Sequence, residues 1–174
     1  GAQALAHIRY VSGLRNWESI KVWSLNSSEL TAEKQEEFKR AGNGVLEFAP
    51  TKEIALEEAD VILLCTSAAS AVIKACDIKG SPLITSISTN APGAHEIDPA
   101  MLANMEVYCD CTATTATVAG EMKLAAQSGC WSPEMVKGDL GALVNGSCPV
   151  PTGDKPVFFR SIGQGLEDVA VALA

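Results

Sequence analysis

Basic character is what this sequence most lacks. Its 13 lysines and arginines are outnumbered by 21 aspartates and glutamates, giving a formal net charge of −8 at pH 7. Phosphate binding along a nucleic acid needs a basic face, and none is visible, so no nucleic-acid partner is expected. Long apolar runs are missing too. No stretch reaches membrane-spanning length without a polar interruption, so no membrane association is expected. Metal-ligand spacing is equally scarce. Cys109-x-Cys111 is the one close cysteine pair, and no second pair or histidine stands at zinc spacing, so no metal is expected. The six cysteines fall in apolar runs such as Val61-Ile62-Leu63-Leu64-Cys65, which suits buried, reduced thiols in a cytoplasmic protein rather than a disulfide scaffold.

What is present is an alternation of periods. Apolar residues make up 47% of 174 residues, enough for one domain with a real core. Ala4, Leu5, Ile8, Val11 and Leu14 share one side of a helix expected over Ala2–Arg15. Ser19 to Ser24 alternates with period two and reads as a strand. A helix from Glu29 to Ala41 comes next, closed by Gly42 and Gly44; its run Glu33 to Arg40 alternates in sign, the pattern of a solvated face carrying ion pairs. Val45 to Phe48 is a short strand, and Thr51 caps a brief helix to Glu58.

Asp60 to Cys65 is continuously apolar after its first residue, as in a strand buried on both faces of a parallel sheet. Pro82 to Ile87 and Glu106 to Cys109 repeat the type. Pro99 to Asn104 reads as a short helix with proline at its first position. Ser132-Pro133-Glu134 resembles a helix start, Asp139 to Val144 a short helix, Pro156 to Phe159 a last strand, and Ser161 onward a terminal helix. The alternation predicts an α/β fold of the Rossmann type over residues 1–174: a doubly wound, mostly parallel sheet with helices on both faces.

Gly1-Ala2-Gln3 leads straight into the first helix. Parallel sheets bind ligands beyond the carboxyl ends of their strands, where a glycine-rich turn aims helix amides at a phosphate. The next strand ends at Trp23-Ser24, at the spacing of roughly 20 residues where such folds read the adenosine ribose. A strand should precede the glycine turn and form the middle of the sheet. It is not in the sequence, so the chain is expected to be an excerpt of a longer protein.

Six segments occur in one order along the chain: Gly1-Ala2-Gln3-Ala4-x-x-His7, Val22-Trp23-Ser24-x-Asn26, Ala59-Asp60-Val61-Ile62 with Thr66-Ser67, Ser86 to Asp98, Phe158 to Gly163, and Leu166 to Ala170. In that order they resemble the ornithine cyclodeaminase/mu-crystallin family of NAD(P)-binding proteins, and Ser86 to Asp98 is the most specific match. The resemblance implies a preceding domain, absent here, that grips the substrate carboxylate with basic residues and forms much of a homodimer interface; the helix from Ser161 would pack toward it. It also implies an NAD(P)H-dependent oxidoreductase of amino-acid metabolism. Such an enzyme reduces the imine of an α-keto acid, cyclic or acyclic, to an L-amino acid, with hydride passing between nicotinamide C4 and the substrate Cα. An amino-acid dehydrogenase is a close variant. An ornithine cyclodeaminase-type lyase and a non-catalytic, NADP-binding protein like mu-crystallin are the alternatives.

The resemblance places Gly1, Ala2 and Gln3 on the pyrophosphate, Ser24 and Asn26 at the ribose, Thr66, Ser67, Ser88, Thr89 and Asn90 along the cofactor, and Ser161 near the nicotinamide. Read by themselves, Thr66, Ser67 and Ser161 serve equally as helix caps. No acidic side chain stands at Ser24 or Asn26 to accept from a ribose 2′-hydroxyl, which favours NADP(H) over NAD(H), although Leu25 fills a place where many relatives carry arginine. Asn90 is the candidate catalytic residue. Cyclodeaminating relatives hold an aspartate there as acid and base, and asparagine has no titratable group. That weakens cyclodeamination and leaves hydride transfer to a ready-made imine. As backbone, Asn-Ala-Pro-Gly is also an ordinary turn. His95 is expected to be exposed, His7 to pack, Cys65 to be a small core residue and Trp131 a packing anchor.

Overall fold

The computed structural model describes the chain except residues 27–29, 88–91 and 174, and except the side chains of 166–168 and 170. The described residues form two compact units, Gly1–Ala59 and Asp60–Ala174.

The first unit holds α1 (Ala2–Val11), β1 (Ile20–Val22), α2 (Ala32–Ala41), β2 (Leu46–Phe48) and α3 (Lys52–Leu56). β1 and β2 pair in parallel, with Ile20 opposite Leu46 and Val22 opposite Phe48. Leu5 and Ile8, three apart on α1, meet Phe38 of α2 and Leu46 of β2 in one buried cluster. α1 stops at Val11 instead of continuing to Arg15, because the Trp17 indole N–H donates to the Val11 carbonyl at 2.8 Å and satisfies a helix-end acceptor. Leu14 is left exposed. α2 starts at Ala32, with the Thr31 hydroxyl accepting from Lys34 N. Thr51 caps α3 as expected, but the helix ends at Leu56, and Glu58 takes a left-handed φ of 57°.

The charged face of α2 is present: Lys34–Glu37 and Lys39–Glu36 pair within the helix, and Arg9 reaches Glu37 from α1. These pairs are solvent-screened and contribute little to stability. Gly42 is in place for space and not for conformational freedom. Its φ of −86° suits any residue, whereas a Cβ there would collide with Leu46. The left-handed positions of this turn are Asn43 and Gly44.

The second unit holds β3 (Val61–Leu64), β4 (Leu83–Ser86), β5 (Glu106–Cys109), α4 (Thr115–Val118), α5 (Gly120–Ser128), β6 (Val136–Asp139), α6 (Leu140–Asn145), β7 (Val157–Arg160) and α7 (Gly165–Ala172). Its five strands are parallel, in the order β3-β4-β7-β5-β6. The last strand therefore lies between β4 and β5, where Phe158 is fully buried between Ile84 and Val107 of its neighbours. Trp131 is buried, and Asp139 caps α6 by accepting from Ala142 N.

Three expectations change here. Pro99–Asn104 and Pro133–Met135 are 3-10 turns, and the second leads directly into strand β6. β6 reads poorly because Val136-Lys137-Gly138-Asp139 is an edge strand, with Gly138 giving room to Cys148 Sγ. α7 begins at Gly165 and not at Ser161, because Ser161 to Gly163 is engaged elsewhere. The parallel α/β fold itself is as expected, with its strands in two parallel sheets among the described residues, one in each unit. Among the described residues β1 pairs with β2 alone and β3 with β4 alone, so each presents an unpaired edge. No helix among them is long and apolar enough to cross a membrane.

The packing at Gly42 is directly testable. Gly42→Ala should destabilise the protein by about 1–3 kcal/mol in urea unfolding, the usual cost of overpacking. Gly13→Ala, where a Cβ would meet only the Tyr10 carbonyl at an ordinary 3.8 Å and φ is not positive, should cause no loss.

Candidate functional site

Gly1 stands at the N-cap of α1, and its carbonyl accepts from Leu5 N at 3.2 Å. No side chain caps this helix, and its first turn carries no acidic residue. A Cβ at Gly1 would meet nothing within 4 Å among the described residues, so their packing does not demand glycine there. The first amides of a helix have no intrahelical partner, and here they are open to an anion. His7, expected to pack, is half-buried beside the inward-facing Leu5 and Ile8; its Nδ1 lies 2.8 Å from the Gln3 carbonyl. Beyond β1, Ser24 Oγ accepts from Asn26 N at 3.3 Å, and both residues are exposed beside an exposed Leu25.

In the second unit the parallel strands carry Thr66, Ser86, Asp110 and Ser161 to one edge, at the carboxyl ends of β3, β4, β5 and β7. A buried polar chain ties these ends together. Glu96 accepts from Thr66 N on one oxygen and from Ser86 Oγ on the other, both at 2.7 Å. Arg160 Nη1 donates to Ser86 Oγ at 3.0 Å and to the Ser161 carbonyl at 3.3 Å. Its Nε lies 2.7 Å from Glu121 Oε1, an ion pair without the alignment of a hydrogen bond. Ser86, Glu96 and Glu121 are fully buried and Arg160 is 1% exposed. Charges this deep persist only when paired. Burial pushes the Glu121 carboxyl above its usual range, with Arg160 opposing.

Asp110 forms a second anchor. One oxygen accepts from Cys111 N and the Thr115 hydroxyl, and the other from Ser161 Oγ, Ile162 N and Gly163 N, the last three at 2.8–3.1 Å. This answers what Ser161 does. It is not a helix cap but part of a loop wrapped on a carboxylate. Thr66 and Ser67 are not helix caps either. Thr66 Oγ1 accepts from Ala68 N in a tight turn, and the next helical residues, Ala75–Asp77, form only a 3-10 turn.

Cys65 is half-buried, and burial together with Glu96 pushes its thiol up to about 11; burial and Asp110 push Cys109 up to about 12. Both are protonated and unreactive at neutral pH. His95 is half-buried rather than exposed, its Nδ1 2.9 Å from the Gly93 carbonyl. Ser88, Thr89 and Asn90 lie outside the described residues.

Sequence reasoning missed Ser86, Glu96, Asp110, Glu121 and Arg160 as parts of the site. One signal was available: an arginine directly after the apolar Val157-Phe158-Phe159. Each unit carries groups that fit part of a dinucleotide. The first has an uncapped helix N-terminus free of acidic residues, and the second has hydroxyls and turn amides fixed at strand ends.

The Asp110 anchor has a pH signature. Burial alone raises its pKa, but the hydrogen bonds from Thr115, Ile162, Ser161 and Gly163 outweigh it and hold the carboxyl below its usual range. Its stabilising effect is therefore present above about pH 4 and lost as pH falls through the lowered pKa. Asp110→Asn should cost about 1–3 kcal/mol at pH 7, because an amide cannot accept from every donor. Urea midpoints measured across the acid range should be flatter in the variant than in the parent.

The whole chain, residues 1–174, matches the ornithine cyclodeaminase/mu-crystallin family. It is 50% identical, over all of its own length and 54% of the relative's, to the NAD(P)H-dependent anabolic L-arginine dehydrogenase of Pseudomonas aeruginosa. It is 28% identical to the iminosuccinate reductase of Paracoccus denitrificans, covering 53% of that protein. The solved structure of that reductase with NAD+ superposes with a TM-score of 0.86 at 26% identity, over 99% of this chain and 52% of that one. Thermococcus litoralis Δ(1)-pyrroline-2-carboxylate reductase, solved with NADH and L-proline, superposes with a TM-score of 0.90 at 21% identity, over 99% of this chain and 54% of that one. The chain spans about half the length of the curated relatives it matches. Sequence and parallel α/β fold agree: the chain belongs to the ornithine cyclodeaminase/mu-crystallin family.

Proposed function

We propose that the full-length protein is an NAD(P)H-dependent reductase that converts the imine of a 2-oxo acid to an L-amino acid, with L-arginine as the leading product. The observation that carries this reading is the 50% identity to an L-arginine dehydrogenase across all 174 residues. Relatives named for iminosuccinate and ketimine reduction support the reaction class. When bound, the dinucleotide supplies the hydride. The chain's own part is to hold it. The α1 N-terminus at Gly1 to Gln3 takes phosphate, Ser24 and Asn26 meet the ribose, and Thr66, Ser67 and Ser161 fix the other end.

Asn90 serves as a hydrogen-bonding residue that exchanges no proton, which sets this protein apart from a cyclodeaminase. NADP(H) is favoured over NAD(H), because no carboxylate stands at Ser24 or Asn26 to repel a 2′-phosphate. A preceding half of the polypeptide grips the substrate carboxylate, covers α7 and builds a homodimer. Six free thiols suit a cytoplasmic setting.

The full-length protein mixed with NADPH or NADH, 5-guanidino-2-oxopentanoate and ammonium should oxidise the cofactor and release L-arginine, faster with NADPH. No oxidation of either cofactor, with this acid or with a panel of cyclic imines, overturns the reductase reading. Proline and ammonium formed from ornithine would favour the lyase instead. Leu25→Arg should tighten NADPH binding about threefold or more relative to NADH, the range of one exposed charge pair. Titration with both nucleotides checks it, and tighter NADH binding by the parent protein would reverse the cofactor preference.

A further inference from the structure

We propose that Glu96 is the positioning residue of the cofactor-facing edge: its carboxylate sets where the Thr66–Ser67 turn and, through Ser86 and Arg160, the Ser161 loop stand. The inference rests on the proposed function, in which a dinucleotide binds at this edge. Glu96 itself is fully buried. Its two oxygens go to two different strand ends, Thr66 N after β3 and Ser86 Oγ on β4, by short charge-assisted bonds.

The clamp has a fixed base. Val72 N and Ile73 N both donate to the Glu96 carbonyl, at 2.8 and 3.1 Å, and Ile97 beside it is fully buried and bridged to Ile73. Glu96 therefore cannot move with one strand and leave the other. On the far side Ser86 Oγ accepts from Arg160, whose Nη1 also holds the Ser161 carbonyl. Thr66, Ser86 and Ser161 thus depend on one carboxylate, although they lie 20 and 75 residues apart in sequence. Burying charge only for packing is a poor bargain, since apolar residues of similar size stabilise as well or better. What the carboxylate adds is direction, because its bonds fix the Thr66 amide and the Ser86 hydroxyl in place.

The test uses the full-length protein and three variants, Glu96→Ala, Glu96→Gln and Ser86→Ala. It measures single-turnover hydride transfer per folded molecule, nucleotide Kd by fluorescence, and amide exchange over residues 66–68. Misplacement of the reacting groups should cost Glu96→Ala about 10- to 100-fold in transfer, with Kd changed less than about threefold and faster exchange at 66–68. Glu96→Gln keeps an acceptor for Thr66 N and a donor for Ser86 Oγ, and should stay within about threefold of the parent.

Transfer unchanged in Glu96→Ala, a loss carried wholly by Kd, or a Gln variant as poor as the Ala variant would each overturn the proposal. If Glu96→Ala does not fold, Ser86→Ala decides. A loss of about threefold or more in transfer at unchanged Kd supports the proposal, and transfer at the parent level overturns it. If the parent binds reduced nucleotide but turns over no imine, the reductase reading has failed. Positioning is then judged by exchange at 66–68 and by bound-nucleotide fluorescence, both altered in the Ala variant and restored in the Gln variant. A parent that binds neither nucleotide overturns both.

Discussion

A guanidinium with 1% of its surface exposed sits at the end of β7, between Ser86 on one side and Glu121 on the other. The rest of the second unit is arranged around the need to keep Arg160 paired. Leaving such a charge alone in an apolar interior costs several kcal/mol, so its partners must arrive together and stay. Those partners come from β4, from α5 and, through Ser86, from Glu96. The carboxyl ends of these strands are therefore joined beneath the surface and not left as independent loops.

Arg160 and Asp110 divide the work at this edge. Arg160 faces into the core and ties strands together, while Asp110 faces the loop after β7 and collects its amides and the Ser161 hydroxyl. The backbone joins them as well, since Asp110 N donates to the Arg160 carbonyl and Ser161 N to the Ser86 carbonyl. Gly163, with a φ of 81°, lets the loop turn so that its amide reaches the same carboxylate oxygen as Ile162. Two oppositely charged side chains on neighbouring strands thus hold one loop from two directions. Ser161 gains its place from both.

Much of the fold was legible because burial on both faces leaves a plain mark. β3 is a continuous apolar run, β4 and β5 are apolar over part of their length, and Thr51 and Asp139 are local helix starts visible in a short window. What was not legible is long-range. Ser161 looks like the start of a helix, and only a carboxylate 51 positions earlier shows otherwise. Glu96 looks like a surface residue in Ala94-His95-Glu96, yet it is fully buried, because Thr66 and Ser86 supply the donors that a buried carboxylate needs. β6 has no apolar run, since it is an edge strand whose glycine answers to Cys148. The family-specific stretch after β4 was recognisable as a motif, but no period or spacing reveals which of its residues turn inward.

The position of β7 also sets an order in time. β4 and β5 share no direct strand pairing; each is joined to the other only through the last strand of the chain. During synthesis β3 and β4 can pair early, and β5 and β6 can pair early, but the two halves of this sheet stay separate ribbons until Val157 to Arg160 has been made. The contacts that join them, such as Leu83 with Val157 and Glu106 with Val157, are far apart in sequence, the kind of non-local closure that makes folding slow. Until then the buried carboxylates have no arginine. A ribosome-bound chain that stalls before residue 157 would carry open edges on β4 and β5, and unpaired acids where the finished protein carries a buried ion pair.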